Sequence, residues 1–477
     1  MTLTYGNHGY KKTRLKMFIN KFIGDKKFYK RALKVAVPIM IQNGISNFVS
    51  LLDNIMIGQV GTEKMSGVAI VNQLMFVLYL GLFGALAGPG IYGAQFFGSG
   101  NHEGVRQSFR YKLYISLSLV AIGILVFMTC GDSLMTLYLS EEVETAQSAD
   151  MVLLHGHDYL MVMLIGLVPF AIEEVYASTL RECGQTRVPM VAGLIAVAVN
   201  LCLNYVLIFG KFGFPELGVT GAAIATVISR FVQALIVVVW THRNTVKMQF
   251  ASGLYKKLGI SGDLAWKITI KGMPLMVNEL LWSAGMAVLN QCYSRRGLDA
   301  VAGLNIASTF NNLFNVVFIA MGSAVAILVG QLLGAGELKE ARDTDTKLIA
   351  FSVASSALLG IVLFMLAPVF PELYNSEDSV KELASGFIRI SAICMPLYAF
   401  MHASYFTLRT GGKTFVTFLF DSVFLWGISI PTAFIISRYT GMAVLMMFFC
   451  IQMIDLIKCV IGFILVKKGV WIQNLVK

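Results

Sequence analysis

The sequence predicts an all-α polytopic membrane protein, with twelve transmembrane helices in two parallel six-helix repeats. Three observations carry that reading. Of 477 residues 56% are apolar and only 14% charged, with a mean hydropathy of +0.71, a composition that would leave a water-soluble 52.3 kDa chain aggregated. Charge-free runs recur along the whole length, and several approach or exceed the ~20 apolar residues that cross a bilayer as helix. The chain also writes one helix end twice: "YGAQFFGSGNHEGVR" and "ILVGQLLGAGELKEAR" set Gln95, Gly98, Gly100 and Arg106 against Gln331, Gly334, Gly336 and Arg342 at a single offset of 236.

In chain order the expected helices centre near residues 46, 83, 122, 166, 199, 229, 281, 317, 359, 395, 426 and 452. Runs 113–130, 188–210 and 348–371 carry no charge and give the third, fifth and ninth. The charge-free runs 65–101 and 300–336 give the second and eighth. The others hold one or two charges inside an apolar run: Asp53, then Glu173 and Glu174, Arg230, Glu279, Arg389, Asp421, and Asp455 with Lys458. Residues 1–30 form a basic arm, 31–241 a first lobe, 242–265 a linker, 266–466 a second lobe and 467–477 a tail. Apolar character lapses in the linker, where Lys247, Lys256 and Lys257 cluster; it reads as a cytoplasmic loop with room for a short interfacial helix.

Lys and Arg set the orientation, because their excess marks cytoplasmic segments. With the N-terminus inside, the inside segments hold 29 of the 38 and the outside loops six. Shifting the helix count by one would destroy that asymmetry, so both termini are expected in the cytoplasm of a multi-pass plasma-membrane protein. The first apolar run begins only near Val35, behind the basic arm, and continues through a full span, so it does not read as a signal peptide. The net charge of +11 needs no nucleic acid; the arm is expected to rest on anionic membrane lipid. Seven cysteines sit singly in or near apolar helices without metal spacing and read as packing residues.

The repeat extends at the same offset: Pro38 meets Pro274, Gly61 meets Gly297 and Gly67 meets Gly303. A second pair, "LRECGQTRVP" from Leu180 and "LRTGGKTFVT" from Leu408, lies at offset 228. An even shift of six helices preserves orientation, so the halves are parallel repeats about an axis along the membrane normal. Two such lobes can rock about a site between them.

In these residues the chain resembles the multidrug and toxic compound extrusion (MATE) transporters. The carriers are "LLDNIMIGQVG" at the end of the first helix, the paired "GAQFFGSG" and "GQLLGAG", "LRECGQTRVP" with "LRTGGKTF", "FDSVFLWGISIP", and the closing "KKGVWIQNL". The resemblance runs from about residue 30 to the end and is specific in combination. It implies a V-shaped, bilobed transporter of twelve helices that exports organic cations or other amphipathic compounds against inward flow of protons or sodium ions.

Beside that resemblance, the residues carry their own argument. In the first helix Asn43, Ser46 or Asn47, Ser50, and Asp53 or Asn54 recur every three or four residues along one face, and a polar stripe on a spanning helix cannot cheaply face lipid. In the seventh, Glu279, Ser283, Met286 and Asn290 repeat the pattern, with Glu279 opposite Asn43 at offset 236. An aspartate costs roughly 2.5–3.5 kcal/mol at a helix centre on insertion scales, so Asp53 is the first candidate for ion coupling, the bland alternative being an acid that snorkels to the surface. Asn200 and Asn204 stand one turn apart on the fifth helix, and the resemblance places such a pair beside the first-helix Asp. Family examples often carry Asn then Asp there; this chain has Asn204, so one carboxylate replaces two. That disfavours a sodium site, since a hard cation gains from anionic oxygens, whereas a lone desolvated carboxyl can still take a proton. Thr226 on the sixth helix is a further candidate ligand.

Glu279 reads as a cavity carboxylate, with a structural pair to Lys458 or Arg389 as the alternative, and Asp421 either joins it or pairs structurally. One of Glu173 and Glu174 is expected to pair with Arg181 or Arg187, and His155 and His157 to be ordinary solvated histidines. Asn43, Asn72, Gln73, Asn305, Thr309 and Asn312 offer amides and a hydroxyl to a substrate cavity, and 24 Met and 33 Phe supply adaptable walls suited to lipophilic cations. The expected function is therefore a secondary antiporter working by alternating access. It would act as a monomer on small organic substrates, with a proton or sodium as coupling ion and no resident metal or cofactor. A lipid-linked oligosaccharide flippase of the same broad superfamily is the alternative, but it would be expected to show a strongly basic cavity, and the intramembrane charges here are mostly acidic. Nothing resembles a channel filter, and no catalytic triad or metal cluster appears at usable spacing, so an enzyme is not expected.

Overall fold

The computed structural model describes residues 21–59, 61–137 and 146–477, without the side chains of 50, 51, 54, 55, 62, 146 and 147. The basic arm before residue 21, and the side chains of Ser50 and Asn54 in the expected polar stripe, lie outside these described residues. The helices are α1 (Lys26–Gly58), α2 (Thr62–Gly98), α3 (His102–Thr136), α4 in two arms (Ala146–Ile165 and Leu167–Glu182), α5 (Arg187–Phe209), α6 (Gly218–Arg243), α7 (Gly262–Ser294), α8 (Leu298–Ala335), α9 (Leu338–Leu366), α10 (Asp378–Thr410), α11 (Thr414–Tyr439) and α12 (Val444–Lys468). Among the described residues ten helices are long and apolar enough to cross a membrane, and the two arms of α4, bent 46° at Gly166, make an eleventh span together; α1, 33 residues long, stands beside them as the remaining long helix. Among the described residues there is no strand, as a bilayer requires of a chain that is not a closed barrel. Eleven of the twelve expected helix centres fall on these helices, and the twelfth, residue 166, falls on the break in α4.

The chain forms two compact units. One spans Ile41–Ser283; the other joins the described residues up to Met40 to Ala284–Lys477. The cuts therefore fall inside α1, just past Pro38, and inside α7, past Pro274, both prolines that remove a hydrogen bond from their helix.

Within the 41–283 unit, glycines set the helix approaches. A Cβ on Gly67 would stand 2.6 Å from the Val152 carbonyl oxygen, so α2 and the first arm of α4 pack backbone to backbone there. Gly84 does the same against Met276 of α7, at 2.7 Å from its Cα, and Gly221 lets α6 lie on the Leu207 carbonyl of α5, at 2.6 Å. The core is an apolar cluster around Val71, Met75, Leu160, Leu167 and Ala223.

The linker after α6 is docked on this unit. Arg106 donates to the carbonyls of Gln249 and Phe250 (both 3.1 Å), Arg110 to those of Leu254 (2.9 Å) and Gly259 (3.3 Å), and the Tyr114 hydroxyl to Leu258 (2.9 Å). Met248, Phe250 and Leu254 are buried beneath it. In the other unit the tail does the same: Arg342, the repeat equivalent of Arg106, donates to the Lys467 carbonyl at 2.8 Å, Asn474 to the Gly334 carbonyl at 3.1 Å, and Trp471 is fully buried. Its core gathers Ala32, Val35, Ala36 and Ile39 of α1 with Val329, Leu333, Leu348, Leu408 and Trp471.

In α11 two five-residue stretches, Leu419–Val423 and Leu425–Ser429, are wound as π-helix. Pro431, which has no N–H to donate, follows them and helps explain the widened turns.

Candidate functional site

The four residues expected to couple an ion come together in the 41–283 unit. Asn204 stands four residues after Asn200 on α5, so the two amides stack on one face. The close approach of α6 at Gly221 brings Thr226 beside that face. Asn204 Nδ2 donates to Asp53 Oδ1 at 2.7 Å and to Asn200 Oδ1 at 3.1 Å, and Asn200 Nδ2 donates to Thr226 Oγ1 at 3.3 Å. Asn204 and Asn200 are buried, and Asp53 is half-buried. With both its N–H groups spent, Asn204 leaves Oδ1 buried without a hydrogen-bond partner among the described residues. An acceptor in that position is satisfied by a donor or by a cation. One carboxylate and neutral oxygens suit a proton on Asp53 better than a hard cation that draws on several anionic ligands.

The residues assigned to a substrate cavity divide between the two units. Asn43, Asn72, Gln73 and Glu279 belong to the 41–283 unit. Asn72 and Gln73 lie on an exposed face of α2, with Asn72 Oδ1 accepting from the buried Tyr159 hydroxyl at 3.4 Å, and Asn43 is half-buried. Glu279, also half-buried, rests its side chain on Gly84, whose missing Cβ would stand 3.1 Å from the Glu279 Cγ. Asn305, Thr309, Asn312 and Asp421 belong to the other unit. The first three share an exposed face of α8, at spacings of four and three residues. Asp421 sits on the first π-helical stretch, 3.6 Å from Lys458, whose ammonium also stands 3.8 Å from Asp455 and 5.1 Å from the Phe424 ring centre. Lys458, weighed from the sequence as a partner of Glu279, is thus held between two aspartates, and the Arg389 guanidinium lies 5.9 Å from the centre of the Phe364 ring.

Of the paired glutamates on the second arm of α4, Glu174 bonds Arg181 at 3.1 Å, while Glu173 is buried and accepts from Gln233 at 2.9 Å. His157 makes an exposed contact to Asp132 at 2.8 Å.

Sequence reasoning missed a buried ion pair. Lys112, fully buried on α3, donates to both carboxylate oxygens of Glu182 (2.5 and 2.7 Å), to Thr179 (3.1 Å) and to Ser178 (3.3 Å). Gly90 and Gly93 of α2 leave the space in which that carboxylate lies. A second oversight is Asp345 on α9, fully buried, which accepts from Thr407 at 2.6 Å. Both stand at the ends of apolar runs, where a charge reads as an ordinary part of a cytoplasmic segment.

The family model described as MatE matches residues 38–206 and 274–435, more than half of the chain and one match in each repeat. A probable multidrug resistance protein NorM of Thermotoga maritima is 26% identical over 416 residues, covering 87% of each chain, and one from Halalkalibacterium halodurans is 28% identical over 411 residues, covering 86% of this chain and 87% of the relative. Among solved structures, a point mutant of the Vibrio cholerae MATE transporter VcmN superposes with a TM-score of 0.83 at 21% identity, covering 94% of this chain and 98% of that one. An outward-facing multidrug resistance MATE family transporter of the MOP superfamily gives 0.82 at 19%, covering 94% and 97%. The duplicated family match, lying on the two six-helix repeats read from the sequence, places this chain in the multidrug and toxic compound extrusion family of transporters.

Proposed function

We propose that the protein is a secondary active antiporter that exports amphipathic, cationic organic compounds in exchange for protons by alternating access, as a multi-pass protein of the plasma membrane with both termini in the cytoplasm. The observation that supports this reading is the chain Asp53–Asn204–Asn200–Thr226, with one carboxylate and a buried amide oxygen awaiting a donor. A proton on Asp53 removes the charge whose burial is costly, so protonation favours whichever arrangement of the helices buries that site more deeply. Exchange follows when proton and substrate favour different arrangements, since a ligand with equal affinity for both shifts nothing. Glu279 supplies the counter-charge for a cationic substrate. The similarity to probable multidrug resistance proteins favours this reading over the flippase alternative.

The test is reconstitution into vesicles with proton and sodium gradients imposed separately, using a panel of fluorescent cations. Efflux driven by the proton gradient and abolished in Asp53→Asn, with substrate binding retained, is the expected result. Full transport on a sodium gradient alone, or wild-type efflux by Asp53→Asn, refutes proton coupling through this acid. In Glu279→Gln, weakened cation binding with unchanged thermal stability is expected; intact binding with lost stability makes Glu279 a structural residue instead.

A further inference from the structure

Arg389 is exposed on α10, although about 16 Å of helix separates it from the Asp378 end. The neighbouring helix fixes its level. A Cβ on Gly360 would stand 2.5 Å from the Ala392 carbonyl oxygen, so α9 and α10 cross backbone to backbone one turn further in. The guanidinium lies 5.9 Å from the centre of the Phe364 ring, and α9 ends just past that ring, at Leu366. Arg389 therefore stands where α9 runs out, close to the membrane surface, while the opening turns of α10 continue beyond it. The ring contact is the one interaction the guanidinium makes among the described residues: no carboxylate comes within ion-pair distance, and its five N–H groups meet no acceptor.

The surroundings are apolar and open. Ile361 and Met365 of α9 and Ile393 of α10 are all more than half exposed, and the close crossing at Gly360 leaves a shallow trough between the helices that leads toward mid-membrane. An arginine beside such a surface lays its stem on hydrocarbon and turns its head to the phosphates. Any phospholipid would meet that need, but the order of charges narrows the choice. Glu382 is exposed on α10 two turns, about 10 Å, nearer the helix start and hence on the same face as Arg389. It makes no ionic contact among the described residues, and the adjacent Lys381 is bonded to Glu372 at 2.9 Å. Side chains on a helix lean toward its N-terminus, so Arg389 leans toward Glu382. Outward from the hydrocarbon the protein presents an apolar trough, then a cation, then an anion. A zwitterionic phospholipid presents chains, then phosphate, then ammonium, in the same order.

We propose that Arg389 and Glu382 bind a phospholipid of the phosphatidylethanolamine class, with Arg389 on the phosphate, Glu382 on the primary ammonium and an acyl chain in the trough beside Ile361 and Ile393. The guanidinium fork pairs with two phosphate oxygens. The ammonium donates hydrogen bonds to the carboxylate, which a quaternary choline cannot do, and a glycerol headgroup brings Glu382 no cation at all. The site is independent of the ion and the substrate that the protein moves.

An ethanolamine phospholipid with a diazirine on one acyl chain tests this on the delipidated full-length protein in detergent. Crosslinks to α9 and α10 are expected, and unlabelled phosphatidylethanolamine should suppress them at about tenfold lower concentration than phosphatidylcholine or phosphatidylglycerol of the same chains. Arg389→Gln should weaken that competition about tenfold, with Arg389→Lys, which keeps the charge without the fork, in between. Glu382→Gln should bring phosphatidylethanolamine to the level of phosphatidylcholine. Absence of crosslinks on these helices overturns the proposal, as does equal competition by all three lipids, which would make this an unselective contact. Tighter binding of phosphatidylglycerol also overturns it, by leaving Glu382 no part, and so does unchanged competition in Arg389→Gln. Should Arg389→Gln fail to fold, Glu382→Gln, at an exposed position, must still abolish the preference for ethanolamine over choline.

Discussion

Removing Glu182 is expected to destabilise the protein by about 3–5 kcal/mol, the cost of stranding a fully buried ammonium. The hydrogen accounting supports that magnitude. Thr179 and Ser178 give their own hydroxyl hydrogens to the Val175 carbonyl, at 2.8 and 3.1 Å, so their lone pairs face Lys112. The three ammonium hydrogens are then shared among those two hydroxyls and the carboxylate, and nothing else among the described residues is in place to replace the carboxylate. In Glu182→Ala the two hydroxyls remain but the charge is unanswered. In Glu182→Gln an amide oxygen still accepts, and the cost falls to about 1–3 kcal/mol. Lys112→Met leaves the less deeply buried Glu182 closer to solvent and should cost less than Glu182→Ala. The double substitution Lys112→Met with Glu182→Leu strands no charge, so its loss should fall short of the summed single losses by roughly 1–3 kcal/mol. Equilibrium unfolding in mixed detergent and SDS measures all of these. Additivity within about 0.5 kcal/mol would show that the two groups do not answer each other, and the reasoning fails.

Trp471→Ala should cost about 3–5 kcal/mol, because the indole is fully buried and donates to the Val466 carbonyl at 3.2 Å, while Trp471→Phe should lose only the hydrogen bond, about 1 kcal/mol; thermal unfolding separates them, and equal losses would contradict the packing argument. Asn204→Asp puts two carboxylates beside Asn200, and sodium chloride should then raise its melting temperature above that in choline chloride; an unchanged difference from wild type would show that the pocket does not accept a hard cation. Gly88→Ala drives a Cβ into the backbone of Gly272, so at least about 2 kcal/mol of stability should go, and wild-type stability would place the clash in a region that yields. Reporters fused after Lys477 and at residue 20 should both read the cytoplasm; an external reading at either end breaks the orientation argued from Lys and Arg.

The helices are legible because a bilayer leaves a spanning segment little choice: residues 113–130 or 348–371 can satisfy their backbone in lipid only as helix. The chain of Asp53, Asn200, Asn204 and Thr226 is partly legible for a related reason, since Asn200 and Asn204 fix each other's direction by their spacing, and only tertiary packing has to supply the rest. Lys112 and Glu182 are opaque because each sits where a positive or negative segment end is expected, and 70 positions separate them. The break in α4 does carry a sign, Gly166 followed by Pro169, which the apolar run around them masks. The lysines of the linker make it read as a loop and hide its docking; the clue is the apolar set Met248, Phe250 and Leu254, all of which are buried.

The division of α1 and α7 between the two units fixes an order of events during synthesis. The unit holding Ile41–Ser283 lacks part of its substance until the first two-thirds of α7 has been made, well after the sixth span has left the ribosome. The opening stretch of α1, made before that unit, belongs with Ala284–Lys477. At about 5–20 residues per second, that stretch waits on the order of 20–90 s for the rest of its unit. During that interval Ala32, Val35, Ala36 and Ile39, which end up buried, have only lipid or the insertion machinery for company. Premature release from that machinery is therefore a hazard for the opening stretch of α1, and a pause in translation before α7 would prolong the interval in which it is spoken for but unclaimed.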